Sequence, residues 1–95
     1  MAPVRPRRQL MDLPKMNFAP IFRVILHYTQ WEDNKEIARR ITRAIPAIRG
    51  SNAVRIVENA VLYGSAIIIV APIDEATTYE MKLTRMGLKV SLDIA

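Results

Sequence analysis

The chain of 95 residues contains no cysteine, which excludes disulfides, thiolate metal centres and a cysteine nucleophile. It has one histidine, His27, so a metal site built on several imidazoles is excluded and Ser-His or acid–base catalysis is disfavoured. Glycine is scarce: Gly50, Gly64 and Gly87 stand where helix ends need them, and no glycine-rich phosphate loop exists. Aromatic residues make up 6% and are not interleaved with basic ones, as a base-stacking platform would require. The longest apolar run, 66–72, has seven residues, against the roughly 20 needed to span a bilayer as a helix. No pair of carboxylates is framed by apolar neighbours, and Ser51, Ser65 and Ser91 have no partner base in the sequence. The reading is therefore non-enzymatic, with no metal and no cofactor.

What is present is half hydrophobic, 51%, enough for the core of one small domain. The formal charge is +5, with one basic group at Arg5, Arg7, Arg8 and Lys15 and another at Lys35, Arg39, Arg40 and Arg43. Lys35, Arg39 and Arg43 recur every fourth position and so share one helix face, which is either solvated or set against an acidic partner. Nucleic-acid binding is the weaker reading, because Ile37 and Ile41 between the basic residues must face the core.

Residues 1–20 read as an extension. They hold four of the six prolines, Pro3, Pro6, Pro14 and Pro20, and no sustained period. Leu10, Met11, Leu13, Met16 and Phe18 are too apolar for a purely solvated tail, so part of it is expected to bind its own domain or a partner. Its basic, acid-poor start fits the remnant of an organelle transit peptide.

Residues 21–95 read as the domain. The run 22–27 is β-branched and aromatic, a first strand. Asp33 followed by Glu36 fits a capping box, and Ile37, Ala38, Ile41, Ala44 and Ile45 recur at helical spacing until Pro46. Ser51 is the expected cap of a second helix with the stripe Ala53, Val54, Val57, Ala60 and Val61, closed by Gly64. The apolar run 65–71 is expected to be a buried central or inner strand, stopped by Pro72. Asp74 is the expected cap of a third helix with the stripe Ala76, Tyr79, Leu83 and Met86, closed by Gly87. Leu88, Val90, Leu92 and Ile94 then alternate with Lys89, Ser91 and Asp93, a strand with one wet face.

The order β-α-α-β-α-β sets the topology. One helix between the second and third strands makes them parallel in direction, and two helices between the first and second reverse it. A strand order of 2-1-3 then makes every neighbour antiparallel, with all three helices on one face. The fold class is an α+β two-layer sandwich.

Several stretches in this order resemble the ClpS adaptors of the Clp protease, most closely the cyanobacterial and plastid members. Residues 22–27 are similar to the family's first strand. The stretch 44–48 is similar to its helix-ending segment, 52–57 to the opening of its next helix, 65–70 to its second strand and 83–88 to its link into the last strand. The resemblance covers about residues 21–94. It implies a small adaptor that binds the amino terminus of proteins with a bulky first residue and delivers them to the Clp chaperone ring. In the family an Asn-Asp-Asp run holds the ammonium group, a histidine late in the second helix assists, and a methionine screens the pocket mouth.

The chain departs at each of these positions: Tyr28, Thr29 and Gln30 replace the acidic run, Val61 the histidine and Asn34 the methionine. No carboxylate is left at positions 28–30, where the resemblance implies that the ammonium sits. Ile37, Val57 and Ala60 would line the pocket but read as ordinary core. Tyr28 is expected to fill the old pocket and Trp31 to lie over it. His27 reads as a surface or strand-edge residue. Asp74 matches an acidic position of chaperone docking, and Lys35, Arg39 and Arg43 are the other candidate partner contacts. Two functions follow: an adaptor for a Clp chaperone without standard amino-terminal recognition, or the same fold reused as an interaction subunit of a larger plastid or organelle complex. Peripheral membrane association stays compatible with the basic charge. The implied location is the plastid stroma or cyanobacterial cytoplasm.

Overall fold

The computed structural model describes residues 20–95; the expected extension 1–20 therefore lies outside it except for Pro20. Six elements follow in the order β1 (Ile21–His27), α1 (Asn34–Ala44), α2 (Gly50–Tyr63), β2 (Ser65–Pro72), α3 (Ile73–Arg85) and β3 (Lys89–Ile94). The sheet has the order β2-β1-β3, with both neighbours antiparallel to β1. The α+β sandwich expected from element order is the fold found.

Register decides which side chains enter the core. Val24 pairs with Leu92 and Leu26 with Val90, so these face the helices, while Arg23 pairs with Asp93 and Ile25 with Ser91 on the opposite side. Val24 and Leu26 are fully buried and meet Ile41, Val57 and Leu83, one from each helix. The helical stripes add Ile37, Ala38 and Ala44 of α1, Ala53 and Ala60 of α2, and Ala76 of α3, all buried. The alanines among them let the helix backbones pack closely.

Strand β2 corrects one expectation. It is an edge strand, not an inner one, and Ile67 and Val70 are each 50% exposed. Its unbroken apolar run has a local cause. The pairing jumps from Val24–Ile69 to Ile25–Ile67, leaving Ile68 opposite no partner. This bulge interrupts strict alternation, so Ile68 is buried while Ile69 also packs on the core.

Two expected helix caps are also corrected. Asp33 does cap α1, its carboxylate accepting from the Lys35 and Glu36 amides at 3.0 and 3.3 Å. The reciprocal half of the capping box does not form, because the Glu36 carboxylate accepts from Arg39 and Arg40 instead. In α2 the cap position is Arg49, and Ser51 lies inside the first turn. The reason is the preceding link: Ile45 and Ile48 are both buried and joined by a 3.0 Å turn bond from the Ile48 amide to the Ile45 carbonyl, which starts the helix early. In α3 Pro72 holds the cap position, and Asp74 lies in the first turn, placed toward the positive end of the helix dipole. Gly64 ends α2 in the left-handed region at φ 89°, as expected of a glycine cap.

Candidate functional site

The loop between β1 and α1 carries the positions that matter most. Asp33 fixes its end by capping α1, and the Tyr28 amide fixes its start with a 3.0 Å bond to the Gly64 carbonyl. Gln30 takes φ 62°, the left-handed region, which bends the chain back on itself. The bend brings Tyr28 and Trp31 together edge to face, with ring centroids 5.0 Å apart. Thr29 and Gln30 are left exposed.

The positions that the resemblance assigns to a binding pocket do not line one shared hollow among those described below. Ile37, Val57 and Ala60 are 5%, 1% and 0% exposed, members of the core. Asn34 lines a hollow of about 180 Å³ with Lys35, Val54 and Glu58. Val61 is on the exposed side of α2 and does not line that hollow. Neither do Tyr28, Thr29 and Gln30. Trp31 lines a different hollow, of about 270 Å³, with Glu32, Asp33, Glu36, Ile37 and Arg40. Trp31 thus lies beside Ile37, one of the residues that the resemblance placed at the pocket, and not beside Asn34.

Glu58 and Val54 are residues that sequence reasoning missed. Val54 was grouped with the core stripe of α2, yet it is 41% exposed and borders the groove toward α1. Glu58 puts a carboxylate four residues on from Val54, one turn along the same face. Lys35 shares that hollow without forming an ion pair with it.

Charge on α1 is organised around Glu36. Its carboxylate accepts from Arg39 at 2.9 and 3.1 Å and from Arg40 at 3.2 Å. These hydrogen bonds, first from Arg39 and then from Arg40, hold the Glu36 carboxyl below its ordinary value. Arg40 also donates to the Met86 carbonyl at 3.2 Å, tying α1 to the end of α3. Lys35, Arg39 and Arg43 line a larger groove between α1 and α2, of about 580 Å³, floored by Ala38, Thr42 and Val54. Asp74 does not line this groove; it lies in the first turn of α3 after β2.

Of the two readings of His27, surface or strand edge, the edge is excluded. It belongs to the central strand, and its Nε2 lies 2.7 Å from the Ser91 hydroxyl. Ser91 therefore has the partner the sequence did not show. Among the described residues neither lines the hollows named above, and the pair forms a polar contact between β1 and β3. Among the described residues no three His, Asp or Glu side chains gather where a metal ion could be held, and no helix is long and apolar enough to cross a membrane.

No family model matches the chain. The chloroplastic ATP-dependent Clp protease adapter protein CLPS1 of Arabidopsis thaliana is 32% identical over 88 residues, which are 92% of this chain. The structure of Agrobacterium tumefaciens ClpS2, bound to L-phenylalaninamide, superposes with a TM-score of 0.74 at 17% identity, over 81% of this chain and 99% of that one. The chain is ClpS-like. It spans 55% of the length of the plant adapter it matches. The structural likeness extends over nearly all of ClpS2, so the ClpS-like fold accounts for the described domain.

Proposed function

We propose that this ClpS-like chain is a non-enzymatic adaptor that binds protein, serves a Clp chaperone and protease, and lacks standard recognition of free amino termini. The likeness to a chloroplastic Clp adapter supports the adaptor reading and a plastid location. One observation carries the loss of recognition: at residues 28–30 no carboxylate is present, and Tyr28 is engaged with Trp31. ClpS2 holds L-phenylalaninamide, a ligand with a free α-amine beside an apolar ring. For such a ligand the present chain offers core-packed Ile37, Val57 and Ala60 and a small hollow with a lysine at its side. An ammonium placed near Lys35 meets a like charge, which Glu58 offsets at best.

A peptide beginning with Phe, titrated against the purified chain, is expected to give no difference between its free and acetylated amine. Micromolar binding that disappears on acetylation overturns the loss of recognition. Co-precipitation with the amino-terminal domain of a Clp chaperone tests the adaptor function, and Asp74→Lys is expected to weaken it through the docking position on α3.

A second reading, an interaction subunit of a larger complex, is favoured by the outer end of α2. Leu62 and Tyr63 are 73% and 79% exposed and follow Val61 on the same turn. Apolar side chains in a contiguous exposed group mark surfaces that another protein covers. Native mass determination of the purified protein from its source separates the two readings: a stable complex without a Clp chaperone favours the subunit.

A further inference from the structure

The larger groove is distinct from the hollow at Asn34. It meets that hollow at Lys35 and Val54 and runs from there to Gly50, at the start of α2. Its floor is carbon: the Ala38 methyl, the Val54 side chain and Thr42, whose hydroxyl is turned back onto the Ala38 carbonyl at 3.1 Å. Its rim is basic, with Lys35, Arg39 and Arg43 one helical turn apart. Among the described residues Arg39 is held by Glu36, whereas Lys35 and Arg43 form no ion pair. At the far end the cap position of α2 is Arg49, which gives the first turn no side-chain acceptor. Toward Gly50 the groove carries Arg43 with no carboxylate in its lining, while Glu58 lies beside Lys35 in the adjoining hollow.

We propose that this groove docks an acidic, amphipathic helical segment of a protein partner. The charge pattern selects the partner. Lys35 to Arg43 spans two turns, about 12 Å, so carboxylates at positions i, i+4 and i+8 of a helix lying along α1 face the three cations in turn. The floor selects the rest. Ala38 and Val54 present apolar surface that a phosphate backbone leaves unused, and no aromatic ring lines the groove for a base to stack on. An apolar side chain between the carboxylates covers it. Glu58 beside Lys35 and the unpaired Arg43 toward Gly50 give the docked segment a direction, with its acidic end toward Gly50. Exposed ion pairs contribute at most about 1 kcal/mol each, so the three aligned pairs set register and the covered carbon adds the remainder.

The test uses the full chain and an acetylated peptide of about 14 residues with glutamates at i, i+4 and i+8 and leucines between them. Its glutamine counterpart and a single-stranded oligothymidylate are the controls. Anisotropy is expected to show micromolar binding of the glutamate peptide and about tenfold weaker binding of the glutamine one. Amide shifts are expected at Ala38, Thr42, Gly50 and Val54. Arg39→Gln with Arg43→Gln weakens binding about tenfold, and Val54→Glu, at an exposed position, abolishes it with an unchanged melting temperature. Equal binding of the two peptides, no binding, shifts confined to other surfaces, or tighter binding of the oligonucleotide overturns the proposal. The blocked amine keeps the result independent of amino-terminal recognition.

Discussion

The rings of Tyr28 and Trp31 meet at 88°, centroids 5.0 Å apart, across a loop whose turning residue, Gln30, is left-handed. The contact couples the end of the central strand to the start of α1. Trp31→Ala removes both the edge-to-face contact and a half-buried indole. It is expected to destabilise the domain by about 3 kcal/mol, toward the lower end for aromatic truncations because burial is partial. Urea unfolding followed by far-ultraviolet dichroism measures it; a loss under about 1 kcal/mol contradicts the role given to the pair.

Asp33 and Ser51 were equivalent as candidate caps, and the structure separates them. Asp33→Ala removes the carboxylate oxygen that accepts from two backbone amides and is expected to cost about 1 kcal/mol. Ser51→Ala is expected to stay within about 0.5 kcal/mol, since Ser51 is an exposed residue of the first turn. Equal losses for the two in thermal unfolding would show that α2 starts later than described.

Gly64 stands at φ 89° with nothing within 4 Å of an added Cβ. Gly64→Ala therefore carries a backbone penalty without a clash, about 1–2 kcal/mol. Because the Gly64 carbonyl also receives the Tyr28 amide, hydrogen exchange at Tyr28 is expected to speed up in this variant.

Glu36 titrates below the ordinary glutamate value of 4.5 because Arg39 and Arg40 donate to its carboxylate. The sign follows directly: a depressed folded pKa gives stability that is full above the unfolded value and is lost as pH falls through the folded one. The side chain is solvent-facing, so the effect is screened by salt. Carbon-detected titration is expected to place the Glu36 midpoint below that of the same residue in an unfolded peptide. In Glu36→Gln the acid limb of the stability profile flattens at low salt, and an unchanged limb would contradict the assignment.

Leu83 is fully buried beneath the sheet and joins α3 to the core. Leu83→Ala is expected to destabilise by about 3 kcal/mol, a large fraction of what holds a domain of this size. A melting temperature close to that of the parent would show that the cavity collapses.

Much of this architecture is written in local pattern. Ile37, Ala38, Ile41 and Ala44 could only sit together on one side of a helix, and the pair of Pro46 and Gly64 bounded the helices because each changes what the backbone can do. The antiparallel 2-1-3 sheet followed from counting reversals. The absence of carboxylate at residues 28–30 was equally plain, since a missing charge needs no coordinates to be missed. What the sequence could not reveal depended on neighbours far along the chain. Val54 and Val57 are the same residue type three positions apart, and packing against α1 alone decides that one is floor of a groove and the other core. Ser91 looked solitary until β3 was laid antiparallel to β1 beside His27. The bulge at Ile68, the edge position of β2 and the placing of Trp31 beside Ile37 are likewise products of closing the chain. Local composition fixes which elements form, because their hydrogen bonds and periods are local; which surfaces stay open is settled only when those elements compete for the same core.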